Sequence, residues 1–131
     1  MVDDDANIRK ITQIVLSRIA HWDVSLAASG QEALKILANL KVDIILLDVM
    51  MPEMDGMVTL SKIKSLLGDL APPIIFMTAK AQLNEISSYM KLGAAGVITK
   101  PFDPLSLSQE ILYICNKWEK EKFAMLTGNN D

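Results

Sequence analysis

Cysteine is almost absent from this chain: Cys115 is the only one in 131 residues. One thiol can neither close an internal disulfide nor supply a thiolate zinc cluster, so a reducing cytoplasm is the expected location. Histidine is as scarce, and His21, beside Trp22 at the end of a helix pattern, is read as structural rather than as a phosphodonor. There is no surplus of positive charge. Thirteen Lys+Arg against sixteen Asp+Glu leave a net charge of −3, which offers no basic field to a nucleic-acid backbone, and direct nucleic-acid binding is not expected. No apolar run approaches the ~18 residues of a membrane span, and the acidic start Met1-Val2-Asp3-Asp4-Asp5 is the opposite of a signal peptide. The protein is therefore expected to be soluble and free of the membrane.

Half of the residues are apolar, enough for one domain with one core. Ile8, Ile11, Val15, Leu16 and Ile19 recur at helical spacing in a stretch without Gly or Pro, which predicts a first helix. A short strand at 24–28 and a helix at 32–40 follow, separated by Ser29-Gly30. The segment 43–48 is apolar on both faces, the mark of a strand buried in a parallel sheet. The turn-rich loop 50–56 leads to a helix at 57–67, a strand at 74–78, a helix at 83–92 closed by Gly93, and a short strand at 97–99. Asp103-Pro104 predicts the opening of a last helix, with Asp at the N-cap and Pro at the first helical position. Alternating strands and helices make a doubly wound α/β domain. Residues 1–124 are assigned to it, and 125–131 to a polar tail.

In such a sheet, loops at the carboxyl ends of the strands meet in one crevice. Asp3 and Asp4 follow what would be a first strand, and Asp48, Thr78 and Lys100 stand at the ends of later ones, so three carboxylates, a hydroxyl and an ammonium should share a pocket. Crowded carboxylates raise one another's pKa, and a divalent cation relieves the conflict. Oxygen ligands without nearby His or Cys favour Mg²⁺. Asp48, the lone acid at its strand end, is the best candidate for a nucleophile that would form an aspartyl phosphate.

These residues resemble the receiver domain of two-component response regulators, of the chemotaxis receiver type. Val2-Asp3-Asp4 followed by Arg9, Asp48 with Met51-Pro52-Glu53-Met54-Asp55-Gly56 downstream, Thr78-Ala79 and Lys100-Pro101-Phe102 carry the resemblance over nearly the whole chain. Their order and spacing make the match specific. The resemblance implies a flavodoxin-like, five-stranded parallel sheet of order 2-1-3-4-5. It implies Asp48 as phosphoacceptor and Asp3, Asp4, Asp48 and the Met50 backbone carbonyl as Mg²⁺ ligands, Asp4 directly. Thr78, the Ala79 backbone and Lys100 would contact the phosphoryl group, Pro52 and Gly56 would shape the acceptor loop, and the Lys100-Pro101 peptide would be cis. The implied function is a signalling switch, not an enzyme with a separate substrate. A histidine kinase or phosphotransfer protein would supply the phosphoryl group. The face of the fourth helix, fifth strand and fifth helix would meet a downstream partner.

Two departures stand out. Only Met1 and Val2 precede Asp3, so the first strand is expected to be largely truncated, with the gap rearranged or filled by strand pairing in a homodimer. Val97 stands where many receivers carry an aromatic switch residue. Two rival readings are a Mg²⁺-dependent phosphatase, disfavoured because Val49-Met50 follows Asp48 in place of an Asp-x-Asp motif, and an unphosphorylated interaction module with the same fold.

Overall fold

The apolar runs Ile45–Asp48 and Ile74–Thr78 form strands β1 and β2, buried along their whole length. Gly96–Thr99 forms β3. The computed structural model describes residues 1–128 of the chain, and in it these strands make a parallel sheet of order β1-β2-β3. Ile45 pairs with Ile74 and Asp48 with Met77, while Ile75 pairs with Gly96 and Thr78 with Thr99. All three strands thus end at one edge.

Side chains alternate across a strand, and here each face meets helices. Ile45, Leu47, Ile74 and Phe76 join one apolar cluster, whose helical members come from α2 (Gly30–Leu37), α3 (Gly56–Leu67) and α4 (Leu83–Lys91). Leu46, Ile75, Met77 and Ile98 join the other, under α1 (Ala6–Arg18) and α5 (Leu107–Thr127). Cys115 is buried in this second cluster as a small apolar residue. His21 is exposed in the turn after α1, where its φ is +58°.

Of the five strands expected, three are regular, and the first is largely truncated, as the two residues before Asp3 predict. The other two survive as single-residue bridges: Val2 pairs in parallel with Ala27 on one side and Leu47 on the other. Val2 N–H donates to Leu46 C=O at 2.8 Å, and Ala27 N–H donates to Met1 C=O at 2.9 Å. The left-to-right order is therefore still that of a 2-1-3-4-5 sheet. A ladder runs only as far as residues stand on both sides of it, and two residues ahead of Asp3 leave the 24–28 segment with one bridge. Met1 and Val2, with segments 22–27 and 40–46, line a cavity of about 540 Å³, Val24, Leu26, Ile44 and Leu46 among its walls.

Helix starts follow local capping. Asp5 accepts from Asn7 and Ile8 N–H, Ser29 from Glu32 N–H, and Asp55 from Val58 N–H. The last helix begins later than Asp103-Pro104 predicts. The Asp103 carboxylate does accept from Leu105 N–H at 3.0 Å, as an N-cap would, but its carbonyl accepts from Ser106 N–H, which closes a turn, and the regular helix α5 starts after Ser106. At its other end α5 runs through 125–127, and 129–131 lie outside the described residues.

Candidate functional site

Asp3 leaves the sheet directly after the Val2 bridges, and this places its side chain, fully buried, at the carboxyl edge. One carboxylate oxygen accepts from Asp5 N–H at 2.9 Å; the other takes the Lys100 ammonium at 2.7 Å. The Arg9 guanidinium donates to the Asp3 main-chain carbonyl at 2.7 Å, which ties α1 to this corner. Asp48 is 5% exposed at the end of β1, and its Oδ1 accepts from the same ammonium at 3.1 Å. Asp4 is exposed. Carboxylate oxygens of Asp3, Asp4 and Asp48 all lie within 4.8 Å of one another.

Three negative groups against one ammonium leave the corner short of positive charge. Burial first, and then the charge of Asp3, push the Asp48 carboxyl up to about 6 against the pull of Lys100. Burial alone would lower Lys100, but its bonds and charge pairing with Asp3, and then Asp48, outweigh it and raise its pKa. The donor set consists of hard oxygens alone, so it fits a small divalent cation such as Mg²⁺.

The remaining residues surround this corner. Thr78 is buried at the end of β2; its Oγ1 accepts from Lys80 N–H at 3.0 Å and its carbonyl accepts from Lys100 N–H at 2.9 Å. Ala79 follows it and is exposed, as are Pro52 and the side chain of Met50. The Lys100–Pro101 peptide is cis. Gly56 opens α3 against the acceptor strand: its N–H donates to Val49 C=O at 2.8 Å, and a Cβ on it would meet the Asp48 carbonyl oxygen. Val97 is half-buried against the cluster that holds Phe76 and Tyr89.

Two features escape a reading of the sequence. Glu53 adopts a φ of +67° inside the turn closed by Met54 N–H to Pro52 C=O; nothing in Pro-Glu-Met announces a positive φ. Tyr89 is the buried residue of α4, its hydroxyl donating to the Lys80 carbonyl at 3.1 Å. The spacing of Ile86, Tyr89 and Met90 signals a helix face, but not the loop that the hydroxyl reaches.

Residues 1–112 match the family model described as response regulator receiver domain. Among curated proteins, the chain is 35% identical over 124 residues to the probable transcriptional regulator ycf27 of Guillardia theta, covering 95% of this chain and 47% of that one. It is 37% identical over 107 residues to the response regulator SaeR of Staphylococcus epidermidis, covering 82% and 45%. The chain spans about half the length of these relatives. Among solved structures, the chemotaxis protein CheY4 of Vibrio cholerae superposes with a TM-score of 0.79 at 29% identity, over 86% of this chain and 93% of that one. A CheY-like receiver domain protein of Methanospirillum hungatei gives 0.78 at 30% identity, over 92% and 94%. With the carboxylate corner, the parallel sheet and these likenesses in agreement, the chain belongs to the response regulator receiver domains of two-component signalling.

Proposed function

We propose that Asp48 is the phosphoacceptor of this receiver domain, and that it takes a phosphoryl group from a phosphohistidine of a kinase or phosphotransfer protein. The observation that carries the reading is the carboxylate of Asp48, buried at a strand end, bonded to Lys100 and grouped with Asp3 and Asp4. A carboxyl with a pKa of about 6 is mostly ionised at pH 7 and so can act as a nucleophile. An Asp48 oxygen attacks phosphorus, the P–N bond breaks, and the imidazole leaves with its electron pair and takes a proton from solvent.

Asp3, Asp4, Asp48 and the Met50 carbonyl would hold Mg²⁺, whose charge offsets that of the carboxylates and of the incoming phosphoryl oxygens. Lys100, already between Asp3 and Asp48, gives the new phosphoryl oxygens a cation without moving far. The Thr78 hydroxyl and the Ala79 N–H stand at the neighbouring strand end as donors for the same oxygens. Pro52 and Gly56 hold the acceptor loop, and Pro101 directs the chain away after Lys100. The output is a changed surface for a downstream protein, by population shift between two arrangements.

Intact mass after incubation with acetyl phosphate and MgCl₂ tests the reading. A gain of one phosphoryl group, abolished by Asp48→Asn and by EDTA, is expected. No gain by the folded wild type, or an equal gain by Asp48→Asn, overturns it.

A further inference from the structure

A hydrogen-bonded path leaves the carboxylate corner and ends on α4. Thr78 Oγ1 accepts from Lys80 N–H at 3.0 Å, and the Lys80 carbonyl accepts from the Tyr89 hydroxyl at 3.1 Å. One loop residue is thus held by its N–H to the hydroxyl at the end of β2 and by its C=O to the helix. Tyr89 is 5% exposed and is the buried residue of α4. Its ring meets Phe76, two residues before Thr78 on β2, edge-on at 5.1 Å and 61°. The N-cap residue of α4, Gln82, makes no side-chain capping bond, so Tyr89 supplies a side-chain tie between this helix and the loop before it. Val97, packed in the same cluster, carries no polar tip that could do this.

We propose that Tyr89 is a positioning residue that couples the Thr78 hydroxyl to the seating of α4. This rests on the reading that Thr78 meets a phosphoryl group on Asp48. A Thr78 hydroxyl drawn to a phosphoryl oxygen gives up Lys80 N–H, the Lys80 peptide reorients, and the Tyr89 hydroxyl loses its acceptor. α4 then shifts with the exposed Leu83 and Met90 that it presents. A buried tyrosine hydroxyl needs some partner; what makes this one a coupler is that its partner residue is also held by Thr78.

The test uses the full chain and Tyr89→Phe, which keeps the ring against Phe76 and removes only the hydroxyl. Amide hydrogen exchange at residues 80–83 is measured in the unphosphorylated wild type, Tyr89→Phe, Thr78→Val and the double variant. Each single change is expected to speed exchange roughly two- to tenfold, the effect of one net hydrogen bond, and the double variant no further. Rates that multiply in the double variant overturn the link. Amide chemical shifts are then recorded with and without beryllium fluoride and Mg²⁺. Tyr89→Phe is expected to keep the response at Asp48 and Thr78 and to lose roughly half or more of the response in α4; an unchanged α4 response overturns the coupling. A wild type that shows no response even at Asp48 overturns the phosphoacceptor reading, and the signalling role of Tyr89 with it, while the exchange measurement still decides the link between Tyr89 and Thr78.

Discussion

Asp48 shows how a residue's neighbours set its chemistry. A carboxyl raised from 3.8 to about 6 binds its proton more tightly in the folded than in the unfolded chain. Stability contributed by this group is present at low pH and falls as the pH rises from about 4 to about 6, because the folded state must then ionise a group that the unfolded chain ionises readily. Above pH 6 in EDTA, Asp48→Asn is therefore expected to be more stable than the wild type, by on the order of 1–3 kcal/mol, with the advantage gone near pH 4. Urea melts across pH check it; an asparagine variant that is less stable at pH 7 would mean that the Lys100 bond outweighs burial. The carboxyl signal of Asp48 should titrate near 6 in EDTA and move lower in Mg²⁺. The acid pair, Lys100 and the upward push of crowded carboxylates were readable in sequence from their spacing, but burial as the larger cause of the Asp48 shift, and the size of the shift, were not. They come from a 5% exposure and from Asp3 nearby, which only folding brings about.

At the scale of elements, the acceptor loop is held by a close approach. Gly56 sits where a methyl group would strike the main chain of Asp48 and Val49, and backbone cannot step aside as a flexible side chain can. Gly56→Ala is expected to cost about 2 kcal/mol or more and to disturb the Asp48 amide. Denaturant melts and amide shifts check this; a loss under ~0.5 kcal/mol would show that the loop yields. The Val2 bridges make the opposite case, a pairing that rests on a single residue. Three or four apolar residues fused ahead of Met1 would meet backbone on both rims of the 540 Å³ cavity. Such a fusion is expected to gain on the order of 2 kcal/mol, the surplus of apolar burial over chain ordering. An unchanged melting temperature would mean that the rims do not pair with it. The last helix teaches a local lesson. Asp-Pro is a strong opening signal, and Asp103 does make the capping bond to Leu105 N–H, yet its carbonyl is taken by Ser106 N–H three residues on, a turn rather than a helical bond, and the regular helix begins only at Leu107.

The molecule as a whole links the carboxylate corner to folding. Asp3 and Asp48 come from separate segments that the Val2 bridge and the shared Lys100 ammonium bring together, so a cation bound by both favours the folded chain over the unfolded one. At a hundredfold excess over its Kd, Mg²⁺ is expected to add about 2.7 kcal/mol of stability. Calorimetry with Mg²⁺ and after EDTA reads this directly, and Asp4→Ala should lose most of the gain. An equal gain in Asp4→Ala would place the cation elsewhere. Described helices include none long and apolar enough to cross a membrane, in keeping with a sequence that has no long apolar run.

The order of strands and helices, the two-faced burial of 45–48 and 74–78, and the candidate acids at strand ends were determined by the sequence alone. Periodicity and turn residues act over a few neighbours, and they carry that information locally. Tertiary structure alone decided the rest. The strand expected at 24–28 shrank to one bridge, at Ala27, because pairing depends on how much backbone stands opposite. Lys100 came to share itself between Asp3, ninety-seven positions away, and Asp48. Tyr89 found its partner in the Lys80 carbonyl because α4 packs back over the loop that precedes it. Hydrogen bonds and charge act through space, so the strength of a pair, and the pKa that follows from it, exists only once the chain has closed.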